Sequence, residues 1–182
     1  MELVFVSLSG LTPGQTQRIK ELQKECFSDV SREDIQQCFI AEGFGWIFAY
    51  ENGIIVGQIE LHSRTVLFEG KQVSLGGLGG TCVTAVARSK GIAKAMVKKG
   101  LEILRQEKSD VACLNADTEH HTSGGLYHQL GFTLMKRKIS FEDVYGNTRY
   151  DSGELFIPLC SREIYDFIMK SDKTFHLGRG YW

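Results

Sequence analysis

Arg88, Lys90 and Lys94 crowd a place where positive charge is normally unwelcome. In the run Cys82-Val-Thr-Ala-Val-Ala-Arg88-Ser-Lys90-Gly91-Ile-Ala-Lys94, an apolar strand gives way to a tight loop and then at once to a helical pattern. The first turn of a helix leaves N–H groups without partners and carries partial positive charge, so a cation there costs about 0.3–1 kcal/mol. Several cations at that point make sense where a polyanion such as a phosphate group sits on the helix end. Gly91 allows the backbone to approach such a group closely. The alternative is a solvated basic loop. The segment lacks the Gly-x-x-x-x-Gly-Lys-Ser/Thr of a Walker loop, and its single glycine excludes a dinucleotide fingerprint of three.

The elements that must position this loop follow from periodicity. Residues 2–8 predict a strand, 12–26 a helix with Ile19, Leu22 and Cys26 on one face, and 32–40 a second short helix. The period then changes. Residues 45–50 and 54–66 flank Asn52-Gly53, the strongest short hairpin signal, and a turn at Phe68–Lys71 leads into a third strand reaching Val86. Helix and strand then alternate: a helix over 91–108, a buried strand over 111–116, and a helix over 122–130 capped by Gly131. Late strands at 132–141 and Glu154–Pro158 and a helix over 161–169 complete the chain. This predicts an α/β fold (α+β), a mixed sheet with helices on its faces.

Composition bounds the rest. The 182 residues suit one domain, 1–182, with 42% hydrophobic and 24% charged residues. The 21 basic and 22 acidic residues give a net charge of −1, which argues against nucleic acid as a partner. No run of eighteen apolar residues and no basic, apolar leader occurs, so neither membrane nor secretion is expected. The five cysteines (Cys26, Cys38, Cys82, Cys113 and Cys160) are odd in number and set among apolar neighbours, which predicts reduced, buried thiols in a cytoplasmic protein. His120-His121 lacks partners at ligand spacing, and no metal is expected.

Arg88-Ser-Lys-Gly91-Ile-Ala93 resembles the Arg-x-x-Gly-x-Ala signature of the GNAT N-acetyltransferases. A second segment, Gly125-Leu-Tyr127-His-Gln-Leu-Gly-Phe132, is similar to that family's Leu-Tyr-x-x-Leu-Gly-Phe motif. The resemblance implies a GNAT-type, mostly antiparallel central sheet and acetyl-CoA as co-substrate. It implies that Arg88, Lys90, Gly91, Ile92, Ala93 and Lys94 hold the pyrophosphate, and that the backbone of Val83, Thr84 and Ala85 pairs with the pantetheine arm. It also implies transfer to an amine. Tyr127 then resembles the family's general acid, returning a proton to the CoA thiolate, which a phenol with a pKa near 10 can do. Tyr127 as simple core is the alternative. Glu119, His120 and His121 stand where an acceptor would enter, and either histidine can take a proton near neutral pH; a base is not required where water relays the proton.

Within the family the chain is most similar to the aminoglycoside 2′-N-acetyltransferases. That likeness implies an acceptor site of Asp29, Asp34, Thr81, Asp151 and Trp182 with the terminal carboxylate, a set suited to a polycationic aminosugar. The chain departs from the pattern at Thr81 and Gly180, where that family carries a glutamate and an aspartate. A peptide N-terminus, a lysine or a polyamine is the alternative acceptor, and a non-catalytic acyl-CoA sensor the alternative function. The resemblance also allows a homodimer.

Overall fold

The fold is described from a computed structural model, which covers residues 1–28, 30–116 and 121–182, and the side chains of all of these except 121–124. The chain opens with β1 (Glu2–Ser7), followed by α1 (Pro13–Cys26) and α2 (Arg32–Gln37). Thr12 caps α1 by accepting the Gln15 N–H on its side chain while Gln15 reaches back, and Pro13 fills the first helical position.

A long meander follows: β2 (Gly45–Glu51), β3 (Ile54–Phe68) and β4 (Lys71–Val83). Asn52 and Gly53 both take positive φ, 51° and 77°, as the tight turn between β2 and β3 requires. α3 (Ile92–Gln106) crosses to β5 (Val111–Asn115), and α4 (His121–Gln129) leads to β6 (Thr133–Leu134). The remaining elements are β7 (Ile139–Glu142), β8 (Thr148–Asp151), β9 (Glu154–Pro158), α5 (Arg162–Lys170) and β10 (Phe175–Arg179).

Seven strands form one sheet in the order β1-β2-β3-β4-β5-β9-β6. Among the described residues only the β4–β5 pairing within it is parallel. This is the mixed, mostly antiparallel α/β fold expected. Two corrections concern its late part. Residues 132–141 are not one strand: the chain breaks after Leu134, β6 joins the large sheet, and β7 enters a second sheet of order β10-β7-β8. β10 was not expected, because His176, Gly178 and Arg179 hide the alternation of Phe175 and Leu177.

The large sheet buries both faces. α3 lays Ile92, Met96, Val97, Leu101 and Leu104 against Ile47, Ile59, Leu61 and Leu78, each fully buried side chain contributing about 1.5–3 kcal/mol. Alternation along the strands turns Trp46, Phe48 and Cys82 to the opposite face, where they meet Ile19 and Leu22 of α1. Further along that face Val66, Phe68, Val73 and Leu75 pack on Phe175, Leu177, Tyr181 and Trp182.

The cysteine expectation is overturned. Cys26, the last residue of α1, is disulfide-bonded to Cys82 of β4, with Cα atoms 6.0 Å apart, a separation that suits a bridge. Packing of α1 across β4 brings together residues that spacing alone does not connect. Of the free thiols, Cys113 is buried, Cys38 half-buried and Cys160 exposed.

Candidate active site

Two irregularities in β4 make the site. Gln58 faces Cys82 across the β3–β4 ladder and Glu60 faces Gly79, so β4 carries one residue more than β3 between these pairs. Gly80, at φ 54°, takes up this bulge. β4 also parts from β5: the two pair only at Leu75–Val111, Gly76–Ala112 and Gly77–Cys113. Among the described residues no strand lies against the β4 edge facing β5 beyond Gly77, which leaves room for an extended arm.

A cleft of about 260 Å³ opens there, lined by Cys26, Phe27, Thr81, Cys82, Val83, Arg88, Ala93, Leu126 and Tyr127. Tyr127 projects into it from α4, 7% exposed, its ring edge-on to Phe132 at 5.9 Å. Burial pushes the Tyr127 hydroxyl above the usual phenol range, and the Thr81 side chain beside it opposes that shift. Tyr127 is therefore a neutral donor throughout the physiological range. The hydrogen-bond partner of its hydroxyl is Thr81, a residue that does not ionise.

At the other end of the cleft lies the start of α3. Gly91, at φ 77°, is its N-cap, and Ser89 also takes a positive φ of 63°. The first backbone bond of the helix runs from Ala95 N–H to the Gly91 carbonyl. The amides of Ile92, Ala93 and Lys94 thus have no acceptor within the helix, and left-handed turns beside such amides form an anion-binding concavity. The Ile92 side chain itself is core, 2% exposed. The three cations surround this end. Arg88 donates from Nε to the Val83 carbonyl at 3.1 Å, Lys90 pairs with Glu51 at 3.1 Å, and Lys94 reaches Gln129 Oε1 at 3.4 Å. The strand segment expected to pair with a pantetheine arm is partly engaged: Thr84 N–H donates to Val56 and Ala85 N–H to the Glu25 carboxylate. Val83 alone of those three lines the cleft.

Of the expected acceptor residues, Thr81 lines the cleft, while Asp34 and Asp151 both lie near Cys38. Asp34 lies in the first turn of α2, its amide donating to Ser31 Oγ and its carboxylate accepting from that hydroxyl at 2.6 Å. Asp151 ends β8 and accepts the Ser152 N–H; Gly153, at φ 96°, lies between it and β9, which spans the expected Glu154–Pro158. Trp182 is buried, stacked on His62 with ring centroids 5.2 Å apart and with the Arg64 guanidinium 4.5 Å over its ring. Asp29, Glu119 and His120, and the side chain of His121, fall outside the described residues.

Sequence reasoning missed a polar row along β3. Gln58, Glu60, His62 and Arg64 alternate on the sheet face away from α3, and the side-chain polar atoms of the buried Gln58 and His62 have no close hydrogen-bond partner among the described residues. Burial raises the Glu60 carboxyl to about 7, against an opposing Gly43 amide. Burial, with the nearby Arg64 charge, lowers His62 to about 3. The 3.6 Å contact between Glu60 and His62 is therefore not an ion pair. Period-two polarity inside an otherwise apolar meander was the available signal. Among the described residues no group of three or more His, Cys, Asp or Glu could hold a metal, and no helix is long and apolar enough to cross a membrane.

A bulged and splayed β4, a helix start with free amides and a buried tyrosine thus meet along one cleft. Residues 7–135 match the model of the acetyltransferase (GNAT) domain. The chain belongs to the GNAT acetyltransferases, enzymes that transfer the acetyl group of acetyl-CoA to an amine.

Solved structures share the fold at low identity. The GNAT family N-acetyltransferase YhbS from Escherichia coli, solved with CoA, aligns at TM-score 0.61 and 16% identity over 98% of this chain and 89% of its own. Eis1 from Mycobacterium abscessus aligns at 0.60 and 15% over 77% of this chain, which spans 33% of that protein. The ribosomal-protein-S18-alanine N-acetyltransferase from Escherichia coli aligns at 0.56 and 13%, over 87% of this chain and 94% of its own. No curated protein matches.

Proposed function

We propose that residues 1–182 act as one acetyltransferase domain that acetylates the primary amine of a small cationic molecule, with an aminosugar amine as the specific form of that reading. The observation that carries it is the cleft in which Tyr127, Thr81 and the first turn of α3 meet beside the unpaired edge of β4. In this reading the α3 amides and Arg88 hold the CoA pyrophosphate, and the β4 edge aligns the pantetheine arm. The neutral amine attacks the thioester carbonyl, the carbon–sulfur bond breaks, and Tyr127 gives its proton to the departing thiolate. The raised affinity of the buried Tyr127 for its proton suits a donor that is reprotonated after each turnover.

Thiol release from acetyl-CoA tests the reading, with aminoglycosides bearing or lacking a 2′-amine, polyamines, and short peptides. Release with 2′-amino compounds alone supports the aminosugar. Release with peptides alone discards a small cationic acceptor. Release with polyamines keeps the cation and discards the sugar.

A further inference from the structure

The Cys26–Cys82 disulfide lines the same cleft as Tyr127 and Val83, yet acetyl transfer makes no use of it. Every turnover frees a thiol in that cleft, the sulfhydryl of CoA. A thiol held beside a disulfide reacts at a high effective concentration, and exchange proceeds by attack of thiolate on one sulfur with the other leaving. The surroundings of the two sulfurs differ. Cys26 Sγ lies 4.0 Å from the Arg88 guanidinium, a charge that stabilises a thiolate and so makes Cys26 the better leaving group. Cys82, next to Val83 in β4, is 3% exposed and is among the residues that line the cleft.

Resting on the reading that this cleft takes CoA, we propose that the Cys26–Cys82 disulfide is a thiol-exchange site for the CoA sulfhydryl, which forms a mixed disulfide with Cys82. The CoA thiolate attacks Cys82 Sγ, the Cys26–Cys82 bond breaks, and Cys26 leaves as a thiolate beside Arg88. The proton lost by the CoA thiol is available to Cys26 through solvent. One disulfide and one thiol are exchanged for another disulfide and thiol, so no oxidant is consumed. The adduct fills the cofactor cleft and blocks acetyl-CoA until the freed Cys26 attacks back and expels CoA. The enzyme is thereby held in check by its own product in proportion to the ratio of CoA to acetyl-CoA.

The test is intact-mass measurement of the unreduced protein after incubation with CoA, beside desulfo-CoA, acetyl-CoA and glutathione at equal concentration. The expected result is a species heavier by one CoA, mapped to the Cys82 peptide, reversed by dithiothreitol and absent with acetyl-CoA. It should form at least tenfold faster than the glutathione adduct, and excess desulfo-CoA should suppress it. Cys26→Ser, which has no bridge to exchange, should give no adduct. Suppression by desulfo-CoA in the unaltered protein serves where that variant folds poorly. Desulfo-CoA binding without any CoA adduct overturns the exchange site and leaves the cofactor cleft standing. Absence of desulfo-CoA binding overturns both. Equal rates with glutathione overturn a CoA-directed site.

Discussion

Gly77 of β4 lies beneath the indole of Trp182, so close that a Cβ built on Gly77 would overlap the ring. Gly79, two residues on along the same face, lies against the Trp182 Cβ and His62. The bare strand is therefore the seat of an aromatic plug. Gly77→Ala is expected to lift Trp182 off His62 and to destabilise the protein by about 1–3 kcal/mol, the range for overpacking a filled site. Denaturant unfolding measures the loss, and altered tryptophan fluorescence reports the moved ring. An unchanged midpoint would show that Trp182 does not pack there in solution.

Tyr127→Phe removes the hydroxyl and keeps the ring against Phe132. Loss of a general acid predicts a fall in kcat of about 10²–10⁴-fold with KM for acetyl-CoA little changed. Steady-state kinetics with a competent amine decide it. A rise in KM with kcat preserved would make Tyr127 a binding or core residue.

Gly91→Ala separates folding from cofactor binding. A Cβ at Gly91 meets no atom within 4 Å, so space is not the obstacle; the φ of 77° is. The backbone penalty is about 1 kcal/mol. Reorientation of the α3 amides is expected to weaken acetyl-CoA binding at least tenfold, read by calorimetry. A loss of stability without loss of affinity would place the pyrophosphate elsewhere.

Glu154 is fully buried, and its Oε2 accepts the Tyr181 hydroxyl at 2.7 Å. Burial raises its pKa to about 7, with the Tyr181 hydrogen bond opposing. The folded state therefore binds a proton that the unfolded chain has lost above about pH 4.5, and stability falls as pH rises from there to about 7. Glu60, also raised to about 7, adds to the same slope. Glu154→Gln should flatten the pH dependence of the unfolding midpoint across this window. An unchanged slope would assign it to other groups.

Much of this architecture was legible because local signals agreed with each other. The Asn52-Gly53 turn, the stripe on α3 and the abrupt passage from strand to loop to helix around Gly91 each require only neighbours in sequence. What stayed hidden depends on tertiary placement. Cys26 and Cys82 stand 56 residues apart, and only the crossing of α1 over β4 pairs them. Asp34 and Asp151 carried the right charge, but their hydrogen bonds hold local structure instead of facing the cleft. Glu60 is not legible in the sequence, because a lone acid inside a strand gives no hint of which face it turns to, and the bulge at Gly80 decides its neighbours.

The parting of β4 from β5 also has a colloidal consequence. A strand edge without a partner is a template for any extended chain, and proteins usually guard such edges with charge or proline. The segment Leu78-Gly-Gly-Thr-Cys-Val83 has neither. Whatever backbone occupies that edge shields the molecule from intermolecular strand addition. In the proposed binding mode acetyl-CoA covers this edge, so a reactant bound there would also guard the enzyme against self-association.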